Sequence, residues 1–246
     1  GIKNAISTTA IIAVTSGIFL LITGLLIAKP ILEALDTPED VIDLAVLYLR
    51  IYSLGMPFMM IYNFGAAILR SLGDTKRPFY SLVVAGAINV GLNLLLVIEF
   101  EMSVAGVAVA TVISNIVNAG IIVFFLTHEK GVFRLELKQL SISKAELKKI
   151  LQIGVPAGIQ GMVFSISNVF VLATINSFGS AAVAGSSAAL NYEYYCYFVV
   201  SAFAQATVAF TSQNYGAGQI ERCKTIFRQS MLPGLLGCAA LNLLIV

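Results

Sequence analysis

Phe79–Ile98 reads FYSLVVAGAINVGLNLLLVI, a run without a single charge. It reaches the ~20 residues with which a helix, rising about 1.5 Å per residue, crosses about 30 Å of hydrocarbon. The pattern repeats on both sides, in uncharged runs from Ala5 to Ala28, Ile51 to Leu69, Met102 to Thr127, Ile150 to Asn191 and Tyr194 to Ile220. Of the 246 residues 58% are hydrophobic and only 11% charged, against about 25% charged in a soluble domain. A soluble fold of this size has no interior large enough to hide so much apolar surface. In lipid an open sheet leaves backbone groups without partners, and barrel strands need only about 10 alternating residues, so these runs read as helices.

Six full spans follow, at about 5–28, 45–71, 79–98, 103–127, 150–175 and 186–212, with a seventh beginning near Arg222 and running to Val246. A turn signal at Asn176, Ser177, Phe178, Gly179 and Ser180 divides the last long run. The fold class is an all-α polytopic membrane protein with six full transmembrane helices plus a partial seventh. Gly1 in place of a methionine, and an apolar run that reaches Val246, lead us to expect a chain that continues beyond both ends.

Local signals agree with helices. Thr37, Pro38 and Asp40 read as an N-cap, a first-turn proline and a first-turn acid. Ser143 and Glu146 read as a capping box ahead of the run from Ile150, and Gly73 as a C-terminal stop.

The basic residues set an orientation. With the N-terminus cytoplasmic, all of the 15 Lys and Arg residues except Lys29 and Arg50 fall on the cytoplasmic side. The other side carries Glu33, Asp36, Glu39, Asp40, Asp43, Glu99 and Glu101. This is the positive-inside pattern, and losing one span would scramble it. The net charge of +2 is thereby explained by topology, and no nucleic-acid-binding motif accompanies it.

Glu129 to Lys149 is the longest polar stretch. It mixes Phe133, Leu135, Leu137 and Leu140 with Lys130, Arg134, Lys138, Lys144, Lys148 and Lys149. It reads as an amphipathic cytoplasmic linker lying on the membrane surface, or else as an ordinary solvated loop. The expected organisation is part of an N-terminal lobe at 1–128, the linker at 129–149 and part of a C-terminal lobe at 150–246.

Catalytic signals are missing. His128, the single histidine, stands at a membrane edge and lacks an evident partner. Cys196, Cys223 and Cys238 form no CxxC pair and read as packing residues, and Gly216 to Gly218 follows no strand. No enzymatic activity and no cofactor are expected.

Polarity at membrane depth is more informative. Glu193 is the one acid inside a span, where insertion costs about 2.5–3.5 kcal/mol. It reads either as a protonation-coupled group or as a snorkelling interfacial glutamate. Tyr197 and Ser201 follow on nearly the same helix face and Gln205 turns slightly away. A second set joins Asn89 and Asn93 to Thr111, Ser114, Asn115 and Asn118 on the next span. Amides and hydroxyls suit Na⁺, and they equally suit helix-to-helix hydrogen bonds. Gln160, Ser167 and Asn168 form a weaker third set. Gly55 with Pro57, Gly154 with Pro156, and Pro233 with Gly234 are expected to interrupt helices.

The stretch Leu69–Pro78 (LRSLGDTKRP), with Asn89 and Gly106–Ser114 (GVAVATVIS), resembles the fourth-to-sixth-helix region of the multidrug and toxic compound extrusion (MATE) family. IGVPAGIQ from Ile153, NSFG from Asn176 and SQNYGAGQIERCK from Ser212 resemble its seventh helix, the outer turn and the loop after the eighth. The resemblance implies about helices three to nine of a twelve-helix protein with two pseudo-symmetric lobes. It also implies export of amphipathic or cationic small molecules in antiport with Na⁺ or H⁺ by alternating access, from the bacterial plasma membrane and as a monomer.

In one branch the cation site uses an aspartate on the first helix, an asparagine and an acid on the fifth and a threonine on the sixth. Asn89 matches the asparagine and Thr111 the threonine, while Asn93 stands where the acid would be. Another branch carries a glutamate midway along the seventh helix, where this chain has Phe164 or Ser165, and Glu193 is the substitute available. The expected coupling set is Asn89, Asn93, Thr111 and Glu193, with Na⁺ at the first three. The expected substrate cavity holds Gln160, Asn168, Tyr197, Ser201 and Gln205. A lipid-linked oligosaccharide flippase of the same superfamily and a channel or membrane scaffold are the rival readings. The flippase would want a basic cavity, and no Lys or Arg lies deep in any of these runs.

Overall fold

The computed structural model describes residues 1–34, 39–176 and 178–245. Among them the ordered elements are all helical: α1 (Ile2–Ala34), α2 (Glu39–Leu54), α3 (Met56–Ser71), α4 (Lys76–Leu94), α5 (Ser103–Thr127), α6 (Lys144–Asn176), α7 (Ser180–Gly216) and α8 (Ile220–Ile245). Five helical stretches are long and apolar enough to cross a bilayer, and α2 with α3 forms a sixth, bent by 44°. The protein is a multi-pass membrane protein, with α8 in the place of the partial seventh span. The cap expected at Thr37, Pro38 and the Asp40 side chain lies outside the described residues.

The chain forms two compact units, Gly1–Ile150 and Leu151–Val246. In the first, α1 packs on α2 and α3, α5 packs on α2, α3 and α4, and the α4 hydroxyl of Ser81 reaches Asn118 on α5. Close packing rests on small residues, because lipid supplies no hydrophobic drive between helices and contact must come from fit. A Cβ on Gly17 would fall 2.5 Å from the Pro57 Cα, and Gly24 meets Ser53 in the same way. Towards one end Ile6, Tyr62, Ala66, Leu69, Ile122, Leu126 and Leu135 form the buried core.

Of the three expected helix breaks, one is realised. At Gly55 the chain bends, since Pro57 has no N–H for the Ser53 carbonyl and Gly55 turns back to the Tyr52 carbonyl at 2.9 Å. At the other two sites the helix continues, with Pro156 inside α6 and Pro233 inside α8. One proline removes one bond, which a long helix absorbs unless a second feature reinforces it.

An irregularity absent from the sequence reading is a π-helical turn at Leu95–Glu99, directly after α4. The Met102 N–H then bonds to the Leu96 carbonyl at 2.9 Å, and Gly106 of α5 lies against Leu96.

Gly73 ends α3 as expected. It adopts φ +83°, and the Asp74 N–H reaches the Leu69 carbonyl at 3.1 Å, satisfying a carbonyl the helix leaves open. Asp74 then accepts the backbone N–H groups of Lys76 and Arg77, at 3.0 and 3.1 Å, starting α4. Arg77 pairs with Asp74, meets Glu129 at 2.6 Å and lies over the Phe125 ring. The Arg77 side-chain bond, its backbone N–H and its charge, with the Lys76 N–H, outweigh partial burial and hold the Asp74 carboxyl below the ordinary aspartate value.

The linker's last residues, from Lys144, are already part of α6. Before them the linker makes two short 3₁₀ turns, Gly131–Phe133 and Leu137–Gln139, and straps across the N-terminal end of α1. Lys3 pairs with Glu136 at 2.8 Å. Ser7 Oγ accepts the Ser141 N–H at 2.6 Å and Thr8 Oγ1 the Ser143 N–H at 3.0 Å. Leu135, one of the linker's apolar residues, is buried in the core. The reciprocal capping box does not form either, because Thr8 takes the Ser143 N–H and Glu146 turns to Lys149 at 3.5 Å.

In the second unit α7 and α8 form an antiparallel pair. Cys196 contacts Asn242 at 3.7 Å, Val199 lies on Gly237 and Phe203 on Gly234. α7 opens at Gly179, whose φ of +92° makes the turn the sequence placed there. Ser177 of that turn lies outside the described residues.

Candidate functional site

In the first unit α4 and α5 carry the polar set. Asn93 Nδ2 donates to the Asn89 carbonyl at 2.9 Å and to Asn89 Oδ1 at 3.0 Å, so the two amides act as one group. The Asn93 Oδ1 atom is buried and, among the described residues, has no hydrogen-bond partner. A buried amide oxygen left open is uncommon, because an unmet acceptor costs about 1–3 kcal/mol. It is an oxygen free to meet a cation.

Thr111 bonds back to the Val107 carbonyl at 2.9 Å, and Ser114 to that of Ala110 at 2.7 Å. The structure therefore brings Asn89 and Asn93 together and leaves Thr111 engaged within its own helix. Thr111 shares their stretch of the helix pair, because the Ser81–Asn118 bond and the Leu96–Gly106 contact bracket all three. Asn118 serves packing, its side chain and carbonyl both meeting Ser81 Oγ. Asn115 has another task. Its Nδ2 lies against Gly55, at 3.2 Å from where a Cβ would stand. A polar side chain thus faces the bent α2–α3 span. Sequence spacing could not find this, since it joins residues far apart in the chain.

In the second unit Glu193, Tyr197 and Gln205 are exposed and Ser201 half-buried. At about 100° per residue this stripe lies away from the α7 face of Cys196, Val199 and Phe203 that α8 covers. Gln160 and Asn168 are exposed on α6. No described contact joins these two helices' polar residues into one site. Beside Glu193, Asn191, Tyr194, Tyr195 and Phe198 line an open cleft of about 340 Å³, an aromatic surface the sequence reading left out although NYEYYCYF states it.

His128 is not partnerless: Nδ1 meets the Phe124 carbonyl at 2.8 Å and the ring lies 4.2 Å from the Phe124 ring. It closes the end of α5. The three cysteines are free thiols, and among the described residues no cluster of His, Cys, Asp or Glu could hold a metal.

The MatE family model matches residues 1–95 and 156–246. The probable multidrug resistance protein YoeA of Bacillus subtilis is 30% identical over 234 residues, covering 92% of this chain and 50% of that protein. A FAD transporter of Shewanella oneidensis is 26% identical over 205 residues, covering 82% of this chain and 45% of that one. A MATE crystal structure in the straight conformation superposes with a TM-score of 0.86 at 23% identity, over 99% of this chain and 54% of that chain. The chain thus spans about half the length of the relatives it matches.

Proposed function

The chain belongs to the MatE family, and from that membership we propose that it serves a secondary active efflux transporter, exporting amphipathic or cationic small molecules in antiport with Na⁺ or H⁺. The observation that carries this reading is the paired Asn89 and Asn93 with the open Asn93 Oδ1 at membrane depth. Oxygen donors of this kind suit a hard monovalent cation, and the Thr111 hydroxyl, which gives only its hydrogen to the Val107 carbonyl, keeps its oxygen lone pairs for the same ion. Glu193 would provide a titratable group, and the aromatic faces of Tyr194, Tyr195 and Phe198 beside it suit an organic cation. Coupling needs the cation to bind one orientation of the transporter more tightly than the other. We take the bend at Gly55, faced by Asn115, as an element of the first unit whose shape differs between orientations.

We place the protein in the bacterial plasma membrane with its N-terminal residue cytoplasmic, on the distribution of Lys and Arg. A relative named FAD transporter raises an anionic cargo as a second reading. Against it stands the absence of Lys or Arg deep in the apolar runs. The deciding experiment is export by the full-length protein, reconstituted in vesicles, with Asn89→Ala. Cation-stimulated export should fall about tenfold, the loss of one good ligand. Unchanged stimulation would remove the amide pair from the mechanism.

A further inference from the structure

The three acids of the linker are all spoken for. Glu129 meets Arg77 at 2.6 Å, Glu136 meets Lys3 at 2.8 Å and Glu146 meets Lys149 at 3.5 Å. What remains is one-sided: Lys130, Arg134, Lys138, Lys144 and Lys148 are exposed and, among the described residues, form no salt bridge. Interleaved with them stand exposed apolar side chains, Val132 (50%), Leu137 (56%), Leu140 (38%) and Ile142 (55%). Water would penalise four such side chains, and a solvated loop has no use for them.

The strap also has a fixed height. It leaves α5 at Thr127 and enters α6 at Lys144, both membrane-crossing helices. Between them Leu135 is buried in the core, and Ser141 and Ser143 are tied to Ser7 and Thr8 of α1. The exposed residues are thus held at the end of a transmembrane bundle, where headgroups begin. There, between His128, Lys130 and Arg134, lies an open cavity of about 450 Å³, its two acids, Glu129 and Glu136, already paired.

We propose that residues 130–148 are a docking surface for anionic phospholipid, with Val132, Leu137, Leu140 and Ile142 dipping into the leaflet and the unpaired Lys and Arg side chains meeting headgroup phosphates. Positive charge beside apolar anchors is a combination that binds an anionic leaflet. A soluble acidic partner would use the charges but leave the apolar side chains unexplained at this height. The proposal is independent of what the protein transports.

The test uses the full-length protein with Cys196, Cys223 and Cys238 replaced by Ala and Ile142→Cys carrying an environment-sensitive fluorophore. It is reconstituted in phosphatidylcholine alone, or in equal parts phosphatidylcholine and phosphatidylglycerol, and quenched with neutral acrylamide. Quenching should fall roughly threefold in the anionic vesicles and recover at high salt. Combining Lys130→Gln, Arg134→Gln, Lys138→Gln, Lys144→Gln and Lys148→Gln should erase the difference. Changing the four lysines to Arg should keep it, which separates lost charge from lost folding. Equal quenching in the two lipids overturns the proposal. So does protection in phosphatidylcholine vesicles on adding inorganic phosphate or a soluble acidic polypeptide.

Discussion

The Ser81 hydroxyl on α4 donates to the side-chain carbonyl oxygen of Asn118 on α5, with Ser81 0% and Asn118 5% exposed. This bond fixes how the two helices slide against one another, and with the Leu96–Gly106 contact it holds Asn89, Asn93 and Thr111 along one stretch of the pair. A packing contact therefore positions the residues for which we propose a cation.

Removing that contact should be felt as lost stability. Asn118→Ala should cost about 0.5–2 kcal/mol, because the Ser81 hydroxyl is then buried without its main partner. Ser81→Ala should cost less, and the double substitution should cost less than the sum. Unfolding of the purified protein in detergent measures all three, and strict additivity would mean that the two side chains do not act together.

The packing of α1 on the broken span gives a sharper contrast. Gly17→Ala would drive a methyl into the Pro57 backbone and should destabilise by about 1–3 kcal/mol. Gly86→Ala meets nothing within 4 Å and should be neutral or slightly stabilising. Thermal unfolding of the two variants side by side checks this, and equal tolerance would argue against the close approach of α1 to Pro57.

The polar end of the first unit should respond to acid. Asp74 lies below its ordinary value of 3.8, and the Lys3 bond and charge hold Glu136 below its ordinary 4.5. A carboxylate depressed by folding contributes stability in full above its unfolded value, and that contribution disappears as pH falls through the lower folded value. Stability should therefore decline on the acid side of about pH 4.5. Asp74→Asn should lower stability at neutral pH and flatten the acid decline. An unchanged pH profile would mean that the Asp74–Arg77 pair contributes nothing.

Glu193 tests proton coupling. Glu193→Gln should abolish or shift the pH dependence of export in vesicles with an imposed gradient. Identical profiles would leave Glu193 as an interfacial glutamate.

The spans were legible because lipid imposes a length on any uncharged run, and Gly73 because its turn is local. Tertiary competition erased other signals. Ser143 has the residues of a capping box, but Thr8, distant in sequence, takes its N–H. Leu135 belongs to a segment that reads as interfacial, yet it joins Ile6 and Leu126 in the buried core because the strap folds back over α1. The π turn at Leu95–Glu99 has no sequence signature at all. The amide pair was legible from its one-turn spacing, whereas the division of labour among Asn93, Asn115 and Asn118 depends on which neighbour each one faces.

Uphill movement of cargo is the most direct test of the account. In proteoliposomes of the full-length protein, an imposed Na⁺ or proton gradient should drive a fluorescent organic cation to a concentration above that outside, and collapsing the gradient should release it. Flux that only dissipates the cargo gradient, or none under either ion, would contradict it.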